Sequence, residues 1–300
     1  VQRDTAGAGS RASAARRMRR AMRARSDMAG GITPNAMKPC TRIELLGCPV
    51  DALTMDQTVQ RLWSLLDERG GHRHSCVSAA KLNRMQRDPA LAEAVRTSDV
   101  ISADGAGVLV AARLMGAALP ERVTGIALFL RLVERAAQEG RSLYLLGDIP
   151  GVAEAVRDKL EHAFPGLVVV GTHHGYFRED KSVVEEIQAA APDLLFVAMG
   201  TPRQELFQHR WQPVLQVPLA MGVGGTFRVV SNRAQHTPPL IGEYGLEWLH
   251  RLAQNPARLL RRNVVEHAGF AARLARSRVA GSLQTNVNAA ADAPLRGTQD

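Results

Sequence analysis

Asp104 is the single acidic side chain in "SADGAGVLVAARL", residues 102–114, and it directly precedes Gly105, Gly107 and an apolar run that reads as a helix. A carboxylate there serves one of three ends: it caps the helix, belongs to a glycine loop that cradles phosphate, or takes a proton as a general base. Four further glycine turns follow: Gly147-Asp148, Gly175-Tyr176, Gly200-Thr201-Pro202-Arg203-Gln204 and Gly222-Val223-Gly224-Gly225. Glycine lets backbone approach a ligand closely and aims the first N–H groups of a helix at an anion, so a nucleotide diphosphate is a natural guest for the set. Two histidine groups compete for attention. His72, His74 and Cys76 alternate in "GHRHSC" and fall on one strand face, as part of a zinc set would, yet no fourth ligand has the spacing, and a polar strand start is the simpler reading. His173-His174 stands beside Gly175, either at a nucleotide edge or as a solvated loop pair.

These residues need elements to carry them. "RHSCVSA", "DVISADG", "SLYLLGD", "LVVVGTHHG", "DLLFVAMG" and "VPLAMGVGG" read as strands, each a nearly continuous apolar run. Helices are expected from Lys81 to Thr97, over the run after Gly105, over "GVAEAVRDKLEHAF" and "KSVVEEIQAAA", and after "GTPRQE". Strands buried on both faces and alternating with helices predict an α/β fold, a doubly wound, mostly parallel, Rossmann-like sheet. In such sheets ligands sit beyond the carboxyl ends of the strands, where all five glycine turns fall. From Pro239 onward the pattern is wholly helical. The expected organisation is a disordered basic arm over 1–40, a catalytic α/β domain over 41–238, a helical basic appendage over 239–280 and a disordered tail over 281–300.

Composition agrees. Hydrophobic residues make up 45% of the 300 residues and aromatics 4%, which suits aliphatic helices packed on a sheet. Cys40, Cys48 and Cys76 are too few for a disulfide framework, and a reduced cytosolic compartment is the expectation. No apolar run reaches the roughly 18 residues of a membrane span, and the Arg-rich start lacks the apolar core of a secretory signal. The net +9 is unevenly placed: residues 1–40 carry +7 and 251–280 carry +6, while 41–250 carry −3. Basic ends on a mildly acidic body fit a peripheral contact with an anionic surface better than a body wrapped around nucleic acid.

"DPALAEAVRTSDVISADGAGVLVAARLMGAALPERVTG", "LYLLGDIPGVAEA", "GYF", "LLFVAMGTPRQE", "GVGGTF" and "GLEWLHRLAQNPARLLRRN" occur here in order. From about Cys48 to about Asn263 the chain resembles the WecG/TagA/CpsF glycosyltransferases, of an exopolysaccharide-type member. The resemblance implies a UDP-sugar donor, a polyprenyl-diphosphate-linked glycan acceptor, inversion at the anomeric carbon, self-association and a place at the cytoplasmic face of the membrane. It makes Asp104 the base and puts Arg122 of "LPERVTG" on phosphate or donor sugar. Gln204 of "GTPRQE" goes to sugar hydroxyls or the uracil edge. Cys76, Ser78, Gly105, Gly147, Gly200, Gly222 and Gly224 complete the donor and acceptor contacts. The resemblance also gives the appendage, with Arg251, Arg258, Arg261 and Arg262, to the membrane surface and to closure over the donor. No D-x-D pair is present, so no metal and no other cofactor is expected, and leaving-group charge must be met by Arg and helix N–H groups.

Three departures mark a subgroup. Cys76 and Ser78 stand where many members have Thr and Asn, Arg228 stands where an acidic residue is usual after "GVGGTF", and His236 replaces a basic residue. They point from an acetylmannosamine-type donor toward a glucose-type one. Two other classes stay open. A nucleotide-sugar-binding regulator would keep the fold without turnover. A nucleic-acid binder would use the basic ends, although no aromatic stacking platform or recognised nucleic-acid motif accompanies them.

Overall fold

The computed structural model describes residues 41–231 except residue 69. The arm, residues 232–238, the whole appendage and the tail, with Arg251, Arg258, Arg261, Arg262 and His236, lie outside the described residues. Six parallel strands form the sheet: β3 (His72–Val77), β4 (Val100–Ala103), β5 (Ser142–Gly147), β6 (Val168–His173), β7 (Leu194–Ala198) and β8 (Leu219–Gly222), in the order β4-β3-β8-β7-β5-β6. A separate antiparallel hairpin, β1 (Arg42–Leu45) and β2 (Cys48–Asp51), packs beside β4. Buried Asp51 pins it there, accepting from Arg42 at 2.7 Å and from the Ile101 backbone N–H at 2.7 Å. The doubly wound parallel sheet read from the apolar runs is therefore the fold.

Alternate strand residues feed opposite cores. Leu143, Leu145, Leu194, Phe196, Leu219 and Met221 face α1 (Met55–Leu65), α5 (Gly125–Glu139) and α6 (Val152–Ala163). Phe129 and Phe196 meet edge to face there, with centroids 4.7 Å apart. On the other face Tyr144, Leu146, Leu195 and Val197 pack on α7 (Asp180–Ala190) and α8 (Arg203–Leu215). Val77, Ile101 and Ala103 pack on the hairpin, α2 (Ala79–Met85), α3 (Pro89–Arg96) and α4 (Ala106–Leu114). Each fully buried Leu or Phe contributes about 1.5–3 kcal/mol, and both faces of β5, β7 and β8 are covered, hence their nearly continuous apolar runs.

Local signals set the boundaries. The helix expected from Lys81 to Thr97 is two helices. Asp88 accepts from Leu91 N–H and so caps α3, and Pro89 takes its first position, where no N–H is needed. Thr54 and Gln57 form a capping box at the start of α1. A last short helix, α9 (Thr226–Val230), follows β8. Among the described residues no helix is long and apolar enough to cross a membrane.

Candidate active site

All five glycine turns lie at the carboxyl edge of the sheet, because every strand that precedes them is parallel. At β7 and β5 the helices that follow, α8 and α6, leave to opposite faces, which opens a crevice between neighbouring strand ends. A cleft of about 360 Å³ occupies it. Its floor is backbone, from Gly175, Gly200, Gly224 and Gly225, and its walls include Asp148, Tyr176, Arg203 and Arg228. Gly147 permits this packing: at φ +144° its missing Cβ would lie 2.5 Å from Ala198 O.

Arg228 donates from Nε to both Asp148 oxygens, at 3.1 and 2.9 Å, and its side chain stays half exposed while Asp148 is buried. The hydrogen bond to Asp148, and then that carboxylate's charge, push the guanidinium pKa up, so it remains a cation facing the cleft. Arg203 is on the cleft rim with its guanidinium 4.9 Å above the Phe177 ring. Tyr176 is exposed at the same mouth. The neighbouring histidines build their own turn: His173 Nδ1 lies 2.7 Å from His174 O, and His174 Nδ1 accepts from Tyr176 N–H at 3.2 Å.

Asp104 directly follows β4, the edge strand of the sheet, three inter-strand spacings or roughly 14 Å from β7. It does not cap α4. That cap is Gly105, at φ +106°, with no side-chain bond. Asp104 Oδ2 instead stands 3.4 Å from Gly125 N, at the start of α5, where the helix dipole favours a carboxylate. Val123 N–H donates to Ala103 O at 2.9 Å, which brings the half-buried Arg122 to the Asp104 end of the edge, outside the cleft lining. Cys76 is buried beneath, its Sγ 3.4 Å from Ser102 Oγ. Burial first, then the charge of Asp104, push its thiol pKa up to about 12. Ser78 caps α2, accepting from Lys81 N–H at 3.3 Å. His72, His74 and Cys76 do not converge: His72 meets Asp99, whereas His74 and Cys76 both meet Ser102.

Gln204 is buried, not presented to the cleft. Its Oε1 accepts from the backbone N–H of Gly200 at 3.2 Å and of Gly224 at 3.0 Å. Those two amides are therefore engaged, and an anion in the cleft must be met elsewhere, by the arginines first. Gln204 Nε2 donates to Glu205 Oε1 at 2.9 Å, and Lys81 Nζ donates to the same oxygen at 2.7 Å. Burial pushes the Glu205 carboxyl up, but the Lys81 charge and the hydrogen bonds outweigh it, and the net shift is downward. For Lys81, burial pushes down and Glu205 prevails, so the pair is ionised. Asp148 and Tyr176 entered the set expected from sequence only as members of two glycine turns, and Lys81 and Glu205 are absent from it. Their signal is spatial: Lys81 and Glu205 are 124 positions apart.

Comparison with known proteins agrees with this geometry. The model of the Glycosyl transferase WecG/TagA/CpsF family matches residues 43–284. The chain is 33% identical over 172 residues to the N-acetylglucosaminyldiphosphoundecaprenol N-acetyl-beta-D-mannosaminyltransferase of Bacillus spizizenii, covering 57% of this chain and 67% of the relative. It is 31% identical over 166 residues to the protein of the same name in Bacillus subtilis, covering 55% and 65%. The matched part thus spans about two thirds of each relative's length. With a family match over most of its length, a Rossmann-like sheet and the motif residues gathered on one edge of it, the chain belongs to the WecG/TagA/CpsF family of glycosyl transferases.

Proposed function

We propose that the protein transfers a sugar from a UDP-sugar to a polyprenyl-diphosphate-linked acceptor, with inversion at the anomeric carbon. The observation that carries this reading is the division of one sheet edge into two ends: an arginine-rimmed glycine cleft at β7 and β5, and the Asp104 carboxylate after β4. A donor built of base, ribose, diphosphate and sugar in series suits that length. The names of the two relatives describe an acceptor of the same lipid-diphosphate class.

In this reading UDP lies in the cleft, with Arg228 and Arg203 meeting the diphosphate charge as the anomeric bond breaks. The sugar points along the edge toward Asp104, which takes the proton of the acceptor hydroxyl as that oxygen attacks from the opposite side. Arg122, on the Asp104 side, contacts donor sugar or acceptor phosphate. The chain has no D-x-D pair to bring a metal to the diphosphate, so activity should survive EDTA. Cys76, Ser78 and Arg228, at positions where the family pattern differs, favour a glucose-type donor and an exopolysaccharide product over the acetylmannosamine-type transfer of the two relatives' names. The arginines of residues 251–278 serve contact with an anionic membrane face.

A panel of UDP-sugars with a lipid-linked acceptor, read by mass spectrometry of the lipid product, tests the reading. UDP release that depends on the acceptor supports it. Turnover with UDP-N-acetylmannosamine alone overturns the glucose-type assignment. UDP binding without turnover on any donor identifies a regulator instead, and salt-sensitive nucleic-acid binding without UDP affinity overturns the whole assignment.

A further inference from the structure

Resting on the donor-cleft reading, we propose that Lys81, Glu205 and Gln204 act as one positioning unit that sets the floor of the cleft and ties it to the Asp104 end of the edge. Lys81 lies on α2, after β3, and Glu205 on α8, after β7; β8 runs between those strands. Their contact at 2.7 Å therefore bridges the strand end at which the Gly224 turn begins. The helix that carries Lys81 follows β3, which stands between β4 and β8 in the sheet, so the pair spans from the Asp104 side of the edge to the cleft side.

The pair fixes the direction of one amide. Glu205 Oε1 accepts only donors, here Lys81 Nζ, Gln204 Nε2 and Thr201 Oγ1 at 3.2 Å. With Nε2 committed to the carboxylate, Gln204 Oε1 must face the other way, where the N–H groups of Gly200 and Gly224 converge. One carbonyl oxygen thereby joins the turn after β7 to the turn after β8. Gly222 makes room for it: a Cβ there would lie 2.6 Å from Gln204 Nε2 and 3.1 Å from Gln208 Nε2. Glycine at 222 thus admits a buried amide, rather than a ligand, against the strand.

A salt bridge that only stabilised the fold would leave the direction of the Gln204 amide independent of the charge beside it. This unit does not. With Lys81→Glu and Glu205→Lys together, the ion pair persists, but an ammonium faces Gln204 and attracts Oε1, turning Nε2 toward the two N–H groups. Gln204→Met removes the amide and leaves the native pair. Gly222→Ala displaces the amide and changes no charge.

The test uses the full chain, with hydrogen exchange of the Gly200 and Gly224 amides followed by NMR and UDP titrated by calorimetry. In Gln204→Met, thermal unfolding should remain cooperative, the two amides should exchange about tenfold or more faster, and UDP should bind about tenfold more weakly. The exchanged pair, or Gly222→Ala if the exchanged pair does not fold, should do the same. Unchanged protection of both amides in Gln204→Met overturns the proposal. So does faster exchange with undiminished UDP affinity. If the parent protein binds no UDP, the donor-cleft reading fails, and amide exchange still decides whether the clamp exists.

Discussion

Replacing Asp104 with Asn keeps the shape of the side chain and its place beside Gly125 N, but removes the ability to take a proton. Turnover should fall by about 10² to 10⁴, the usual worth of a general base, while UDP affinity stays at the parent value. Steady-state rates and calorimetry on the same preparation check both halves, and near-parental turnover would remove Asp104 from the base role. Arg228→Ala acts at the other end. It takes a cation from the cleft and removes the guanidinium that meets the buried Asp148 carboxylate, so UDP should bind about tenfold more weakly and stability should drop. Arg228→Lys keeps charge but loses the guanidinium's two-oxygen contact, and should fall between. Asp104 was legible in sequence because one short motif carries it. Arg228 was visible only as a departure, since its meaning depends on Asp148, 80 positions away. The sequence offered Gln204 as a ligand contact, and nothing in "GTPRQE" reveals that its amide turns inward.

Among elements, β5, β7 and β8 declared themselves through nearly continuous apolar runs, whereas β3 is buried with Arg73, His74 and Ser75 in it. The β1–β2 hairpin did not declare itself. Its turn places Leu46 at φ +51° and Gly47 at φ +75°, and leucine is not a residue that signals left-handed backbone. The break between α2 and α3 had a signal in Asp88-Pro89, which the periodicity of the flanking residues masked. Gly147 shows how tightly the edge is built. Gly147→Ala would combine backbone at φ +144° with a 2.5 Å approach to Ala198 O, at the junction of the two strands that flank the cleft. A loss of more than about 2 kcal/mol in urea denaturation is expected, with UDP binding impaired in the fraction that folds. Parental stability in that variant would mean that β5 and β7 can part without cost.

For the whole molecule, acid is the informative stress. His74 is fully buried, with Nε2 3.0 Å from Ser102 Oγ, and burial, aided by the Lys81 charge, lowers its pKa from 6.5 to about 3. Between those values the unfolded chain holds a proton that the folded chain refuses, so stability rises with pH across that window and is lost as pH falls through it. His74 alone contributes a slope of up to about 1.4 kcal/mol per pH unit. The lowered Glu205 carboxyl adds to acid sensitivity only as pH falls below the ordinary range of an unfolded carboxylate, so pH 6.5 to 5 isolates the histidine. Denaturation midpoints should fall through that interval in the parent and much less in His74→Gln. Equal slopes in the two would show that His74 is protonated in the folded protein.

Cys48 and Cys76 are both buried, and their thiols are pushed up to about 12, Cys48 by burial and the charge of Glu44, Cys76 by burial and Asp104. A thiolate is the reacting species, so neither should alkylate while its surroundings stay closed. The two are sewn into different cores, Cys48 with the hairpin and α2 to α4 on one face, Cys76 with α1, α5 and α6 on the other. Nature has thereby placed a chemical clock in each half of the molecule. Timing the alkylation of these two residues, told apart from Cys40 by peptide mass spectrometry, under mild denaturant would read out whether the faces open as one cooperative event or in sequence, in the native chain and without a single engineered label.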